Sequence, residues 1–277
     1  MGSRVAIVTG ANKGLGLGIV ERLAAELPDW TILLTARDEA RGKAAASSVN
    51  SPHVHFVPLD VTSSDSILAF VDTLNADWGG RVDLLVHNAG LLFRTPPTPD
   101  TSRSVLAVNY HGVRSLQMAV DPLLVPGARV VVLSSRLADV TSLRSASLRA
   151  AITAPDLTVE AIDAWVKSYQ AALEAGTVEA DGWPITGGLP PYRVSKMGVS
   201  ALVRVLAATE DPSRGVTYAA CCPGWVATDM GGANATSTIA QGIDTPVWLA
   251  TGGGGGLEKS GRFWASRKEL DFVAGGL

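Results

Sequence analysis

Short apolar runs alternate along the chain with longer stretches whose apolar residues recur at helical spacing. The runs Val5–Thr9, Thr31–Thr35, His53–Pro58, Leu84–His87, Arg129–Ser134, Val216–Cys222 and Arg262–Ala265 predict strands. Most are rich in Val, Ile and Leu, as befits strands covered on both faces. Between them, Gly16–Ala25, Glu39–Val49, Ser66–Asn75 and Thr101–Val120 carry helical periodicity. This alternation predicts an α/β fold, a doubly wound parallel sheet with right-handed crossovers.

One stretch, at about 137–189, breaks the rhythm. Within it Thr158 is placed to cap a helix carrying Ile162, Val166, Tyr169 and Leu173 on one face, stopped by Gly176. Gly182-Trp183-Pro184 and Gly187-Gly188-Leu189-Pro190-Pro191 read as loop. The last strands of the sheet still follow, so the stretch reads as a helical insertion within one domain spanning 1–277. The glycines Gly252–Gly256 predict a surface loop, and no internal repeat is visible.

The composition fits this picture. At 277 residues, with 47% hydrophobic and 18% charged, the chain suits one large α/β domain with a substantial core. The net charge of −3 and the lack of a basic run argue against nucleic acid as a partner. Adjacent Cys221 and Cys222 point to opposite faces of a strand and are not expected to bridge, which suits a reducing compartment. The first strand starts too early for a signal peptide, Ala6 fails a myristoylation pattern, and no apolar run is long enough to span a membrane. A soluble cytoplasmic protein with no membrane partner is expected. His53 and His55 have no accompanying acidic or thiol cluster, so no metal site is predicted.

The chemistry begins at Thr9-Gly10-Ala11-Asn12-Lys13-Gly14-Leu15-Gly16, between the first strand and the first helix. Glycines here let the backbone turn sharply and approach a pyrophosphate, which the helix N-terminus stabilises with free N–H groups. At the tip of the second strand, where NAD enzymes commonly carry an acid for the ribose hydroxyls, stands Arg37. Arg41 follows one turn later. With Lys13, these cations predict a site for a 2′-phosphate, hence NADPH/NADP. Asp38 is expected to point away along the helix start. Asp60-Val61 ends the third strand where adenine would rest, and Asn88-Ala89-Gly90 supplies small residues past the fourth.

Tyr192 and Lys196 are four apart, hence on one helix face, and a cation nearby would lower the phenol's pKa toward a usable proton donor. Ser134 and Ser135 end the fifth strand at the carboxyl edge of the sheet, where ligands bind in such folds.

These features together resemble the short-chain dehydrogenase/reductase family, a Rossmann fold, from Arg4 to about Ala265. The Gly turn, Asn88-Ala89-Gly90, Ser135, Tyr192 and Lys196 occur in that family's order. Asn12-Lys13-Gly14, Thr35-Ala36-Arg37-Asp38 with Arg41-Gly42, Trp183-Pro184, and Cys221-Cys222-Pro223-Gly224-Trp225-Val226 with Thr228-Asp229-Met230 are similar to its monomeric NADPH-dependent carbonyl reductases. The resemblance implies catalytic roles for Asn109 (holding a relay water), Ser135, Tyr192 (proton donor) and Lys196, which would also bind the nicotinamide ribose. It implies that Pro223, Gly224, Val226 and Thr228 cover the nicotinamide, and that the insertion covers the surface through which many relatives associate, giving a monomer. Trp225, at a strand end, is a flat apolar wall for a substrate.

Two departures stand out. His87 replaces an asparagine of the family pattern and reads as a core residue. Arg136-Leu137 replace apolar residues after the serine, with Arg136 expected to point outward. The function expected is reduction of a ketone, quinone or aldehyde to an alcohol. The alternatives are a non-catalytic NADP(H)-binding scaffold and an alcohol dehydrogenase oxidising a steroid or retinoid.

Overall fold

The computed structural model describes residues 3–185 and 188–277, so Gly187 of the predicted loop lies outside the described residues. Strand and helix alternate through β1 (Arg4–Val8), α1 (Gly14–Glu26), β2 (Trp30–Ala36), α2 (Glu39–Ser48), β3 (Val54–Pro58), α3 (Ser64–Trp78) and β4 (Val82–His87). Then come α4 (Pro99–Leu106), α5 (Gly112–Val120), β5 (Leu124–Leu133), α6 (Ala146–Thr153), α7 (Val159–Ala175), α8 (Pro190–Thr209) and β6 (Thr217–Cys222). Last are α9 (Ile239–Gly242), α10 (Asp244–Ala250), β7 (Arg262–Ala265) and β8 (Lys268–Leu270).

All eight strands form one sheet in the order β3-β2-β1-β4-β5-β6-β7-β8. Every pairing is parallel except β7 with β8. The chain runs outward from β1 in both directions. The crevice between β1 and β4, where the order reverses, is where such sheets bind ligands. Successive residues of β1 serve two cores: Val5 and Ile7 pack with α5 and α8, while Ala6 and Val8 pack with α1 and α10. Cys221 and Cys222 likewise face opposite cores, and both are free thiols.

Three elements differ from expectation. The helix expected at Thr101–Val120 begins earlier, at Pro99, because Thr98 and Thr101 cap each other's backbone amides. It is also broken by a π-turn at Ala107–His111, which places Asn109 inside the protein. β5 starts at Leu124 rather than Arg129, across an irregularity opposite Val82 and Leu84. β8 was not expected, since Lys268-Glu269-Leu270 holds a single apolar residue. Ser266 and Arg267, with φ of 50° and 57°, make the two-residue turn that folds β8 back onto β7.

Between β5 and α8 lie α6 and α7. The Thr158 side chain caps α7 by accepting from the Ala161 amide, and Gly176 ends it in the left-handed conformation, as its sequence predicts. α7 packs on α4 and α8 through Ile162, Trp165, Val166 and Tyr169. Trp183, fully buried, meets Trp165 and Tyr169 edge-on at 4.8 and 5.2 Å between ring centroids. α6 buries only Ile152, too little for an apolar periodicity to show.

Candidate active site

A cleft of about 590 Å³ opens at the carboxyl ends of β1, β2, β4 and β5. Its near bank is the β1–α1 turn locked to the end of β4. Thr9 Oγ accepts from the amides of Asn88 and Ala89, both at 3.0 Å. The Asn88 side-chain amide donates to the carbonyls of Thr9 (2.8 Å) and Gly10 (3.1 Å). Gly10 has φ +61°, and a Cβ there would lie 2.8 Å from Ala89 Cα. A Cβ on Gly16 would lie 2.5 Å from Asn88 Nδ2 and 2.7 Å from the Gly10 carbonyl oxygen. These glycines let two loops touch through backbone, leaving open the space a pyrophosphate needs. α1 starts on the cleft with no side-chain cap from Lys13, so its first amides have no competing internal acceptor from that residue.

The predicted cofactor residues converge. Gly10, Asn12, Lys13, Gly14, Leu15 and Gly16 line the cleft, as do Arg37 and Arg41 from the β2 end. So do Asp60 and Val61 after β3, and Asn88, Ala89 and Gly90 after β4. Pro223 and Thr228 line it from the opposite bank. Gly224 and Val226 do not line it; Val226 is buried and sits over Gly242 beside Leu15. Asp38 caps α2 through the Arg41 amide (2.9 Å) and pairs with the Arg41 side chain (3.0 Å), interactions that hold its carboxyl below the usual range. It is therefore spent locally, as expected, although it too borders the cleft. Asp60 is held by Thr62, whose amide and hydroxyl both donate to Oδ1.

Tyr192 is the third residue of α8, which opens on Pro190-Pro191 after a left-handed Leu189. Its phenol borders the cleft on one side and, on the other, a groove containing Leu92, Phe93 and Pro97. Burial and the neighbouring Cys222 push its pKa up to about 12, with the nearby Ser135 hydroxyl pulling the other way. Lys196 Nζ lies 5.6 Å from the Tyr192 ring centroid and donates to the Leu133 carbonyl at 2.6 Å. Burial pushes the Lys196 pKa down to about 8. The expectation that Lys196 lowers the phenol's pKa is thus not met in the protein alone. Burial dominates the phenol, and the Lys196 ammonium is turned to the Leu133 carbonyl.

The two serines separate by role. Ser134 is buried and bonds Ser200 Oγ (2.7 Å) and the Lys196 carbonyl (3.2 Å), tying β5 to α8. Ser135, more exposed, caps a short turn by accepting from the Leu137 amide and lies near Tyr192, but it is Ser134 and not Ser135 that lines the cleft. Asn109 is fully buried and does not reach the cleft surface. Its Oδ1 accepts from the Leu91 amide (2.7 Å), and its Nδ2 donates to the Leu91 carbonyl and to Ser195 Oγ. It joins the wall after β4 to the helix that carries Tyr192 and Lys196. His87 is buried against Gln117 (3.2 Å), and burial pushes its pKa down to about 4, the signature of a neutral core histidine. Arg136 is exposed and does not line the cleft.

The far bank is the segment after β6. Trp225 is 47% exposed and donates from Nε1 to the Gly231 carbonyl (2.8 Å). Arg94, from the wall after β4, donates to the carbonyls of Met230 and Gly231. Leu91, Val108, Asp229 and Met230 also line the cleft and were not predicted as site residues. Thr9, which clamps the near bank, is a further functional residue, and its position directly before Gly10 is the signal that marks it.

The comparisons fit this geometry. The family model described as short chain dehydrogenase matches residues 4–154. The rabbit (Oryctolagus cuniculus) protein named carbonyl reductase [NADPH] 1 is 39% identical over 259 residues, covering 89% of this chain and 90% of its own. The human protein of that name is 37% identical over 261 residues, covering 90% and 91%. Among solved structures, salutaridine reductase from Papaver somniferum aligns with a TM-score of 0.85 at 26% identity, covering 94% of this chain and 99% of that one. Menthone neomenthol reductase from Mentha piperita gives 0.81 at 25%, covering 96% and 99%. The chain belongs to the short chain dehydrogenase family.

Proposed function

We propose that the protein reduces the carbonyl group of a ketone, quinone or aldehyde to an alcohol, with NADPH as hydride donor. The carrying observation is the placement of Tyr192 and Lys196, one helical turn apart, on the wall of the same cleft as the glycine turn. The glycine turn accommodates the pyrophosphate, and Arg37, Arg41 and Lys13 gather positive charge for a 2′-phosphate. The relatives named carbonyl reductase [NADPH], similar over about nine-tenths of both chains, support the same reading.

When bound, NADPH supplies the hydride that reduces the carbonyl carbon. Ser135 orients the substrate oxygen toward the phenol. Tyr192 gives up its proton to that oxygen as negative charge develops there, and a high phenol pKa keeps the proton available at neutral pH. Lys196 supplies positive charge behind the phenol as the proton leaves. Asn109 fixes the spacing between α8 and the loop after β4, and it also serves a proton relay toward Lys196. Trp225 is the wall against which an apolar substrate rests. A purely binding role for the chain is not favoured, because Asn109, Ser135, Tyr192 and Lys196 are all present, and the relatives' names do not favour the oxidative alternative.

We further propose a one-domain monomer acting in the cytoplasm. Support comes from α7, which covers the faces of α4 and α8, and from β8, a three-residue edge strand bearing Lys268 and Glu269 that ends the sheet. Among the described residues no helix is long and apolar enough to cross a membrane. Purified protein should consume NADPH with a panel of quinones and aromatic ketones, and light scattering should give a mass near 28.7 kDa. Tight NADPH binding without turnover of any carbonyl would overturn the catalytic reading.

A further inference from the structure

Three carboxylates border the cleft, and two are used within their own turns. Asp38 caps α2 and Asp60 accepts from Thr62. Asp229 differs. Among the described residues its only polar partner is Lys13, whose Nζ donates to Asp229 Oδ2 at 2.5 Å. The two residues stand on opposite banks, Lys13 at the start of α1 and Asp229 in the segment after β6. The banks also meet beneath the pair, where a Cβ on Gly14 would lie 3.4 Å from Thr228 Cγ2. Thr228 is itself fixed, since its hydroxyl accepts from the Gly231 amide and donates to the Val226 carbonyl. The ion pair therefore bridges the cleft where the start of α1 and the segment after β6 already approach each other.

We infer that Asp229 is a specificity-determining residue, an internal anion that occupies the Lys13 ammonium until a 2′-phosphate displaces it. The inference rests on the reading that Lys13 contributes to the 2′-phosphate site. A phosphate with close to two negative charges competes for Lys13 better than one carboxylate does, whereas a cofactor with a bare 2′-hydroxyl does not. NADPH binding then includes an exchange of partners at Lys13, and NADH binding leaves the Lys13–Asp229 pair in place. Exposed pairs of this kind are weak, so the exchange modulates affinity without abolishing it.

Both side chains are largely exposed, so neither substitution threatens folding. The test is a double-mutant cycle on Asp229→Asn and Lys13→Ala, read as the dissociation constants of NADPH and NADH by quenching of protein fluorescence. Asp229→Asn should tighten NADPH by about two- to five-fold and leave NADH within about two-fold. That gain should vanish in the Lys13→Ala background. An unchanged or weaker NADPH affinity in Asp229→Asn overturns the inference. So does a gain that persists without Lys13, which would mean that Asp229 acts on the phosphate by direct repulsion. If Lys13→Ala alone leaves both affinities unaltered, the placement of the phosphate at Lys13 fails first and the exchange fails with it.

Discussion

The two banks of the cleft are built by different means. The near bank is held by the buried Thr9 and half-buried Asn88 side chains on main-chain groups, and Gly10 and Gly16 admit contacts that any Cβ would obstruct. The far bank, from Pro223 to Thr238, folds on itself through backbone bonds such as that from the Ala227 amide to the Ser237 carbonyl, and exposed side chains tie it to other elements. Trp225 and Arg94 reach the carbonyls of Met230 and Gly231, and Asp229 reaches Lys13. Buried contacts against glycine, with no room to yield, fix where the ligand backbone can pass. Exposed side-chain contacts can be exchanged at little cost in stability, so this is the bank on which substrate choice can vary. The reacting groups lie between the banks, on a helix buried along most of its length.

The largest effect belongs to that middle ground. Tyr192→Phe removes the proton while keeping the ring that borders the cleft. Turnover should fall by roughly a hundred- to ten-thousand-fold, with NADPH affinity within about two-fold of the parent. Steady-state turnover and fluorescence titration measure the two quantities. Substantial retained turnover would remove Tyr192 as the acid.

The pH dependence comes next. Burial lowers Lys196 to about 8 and raises Tyr192 to about 12, so the first charge lost on raising the pH is that of the lysine. The value of kcat/KM for NADPH, which reports the free protein's groups, should therefore fall on the basic side with a midpoint near 8. Lys196's own share of the stability moves the other way. Between about 8 and its ordinary 10.5 the folded protein has released a proton that the unfolded chain still holds, so this contribution rises with pH. Tyr192 contributes in the opposite sense and later, because its raised pKa favours the fold below its ordinary 10.0 and that share fades toward 12. A profile flat to pH 10 would show that the lysine charge is not needed.

Legibility in the sequence follows the same division. Seven strands, the α7 cap and stop, and the near-bank motif could be read because periodicity, capping residues and glycines encode them locally. β8 could not, because a two-residue turn at Ser266-Arg267, rather than an apolar pattern, creates it. The i,i+4 spacing correctly puts Tyr192 and Lys196 on one face. It cannot show that Lys196 turns toward the Leu133 carbonyl, or that desolvation dominates the phenol. The π-turn that takes Asn109 inward depends on tertiary packing, and the Asp229–Lys13 pair joins residues 216 positions apart. Neither leaves a local trace.

Substitutions on the two banks make the sharpest contrast in stability. Gly16→Ala forces a Cβ to within 2.7 Å of the Ala11 and Gly10 backbone, which has no rotamer with which to yield. Overpacking of this kind should cost about 1–3 kcal/mol in denaturant unfolding, and NADPH affinity should fall with it. An unchanged midpoint would mean that the near bank is softer than its contacts imply.

The smallest change in stability should come from Trp225→Ala on the far bank. The ring is 47% exposed and surrenders one hydrogen bond, to a carbonyl that Arg94 also binds. Stability should stay within about 0.5 kcal/mol of the parent. The effect should appear in substrate use instead. An aromatic ketone loses a flat apolar wall, so its KM should rise by several-fold while a small aliphatic aldehyde is nearly unaffected. If both substrates suffer equally, Trp225 shapes the loop rather than the substrate's seat. If neither does, the wall lies on the Phe93 side of Tyr192, where the groove after β4 offers the other apolar surface.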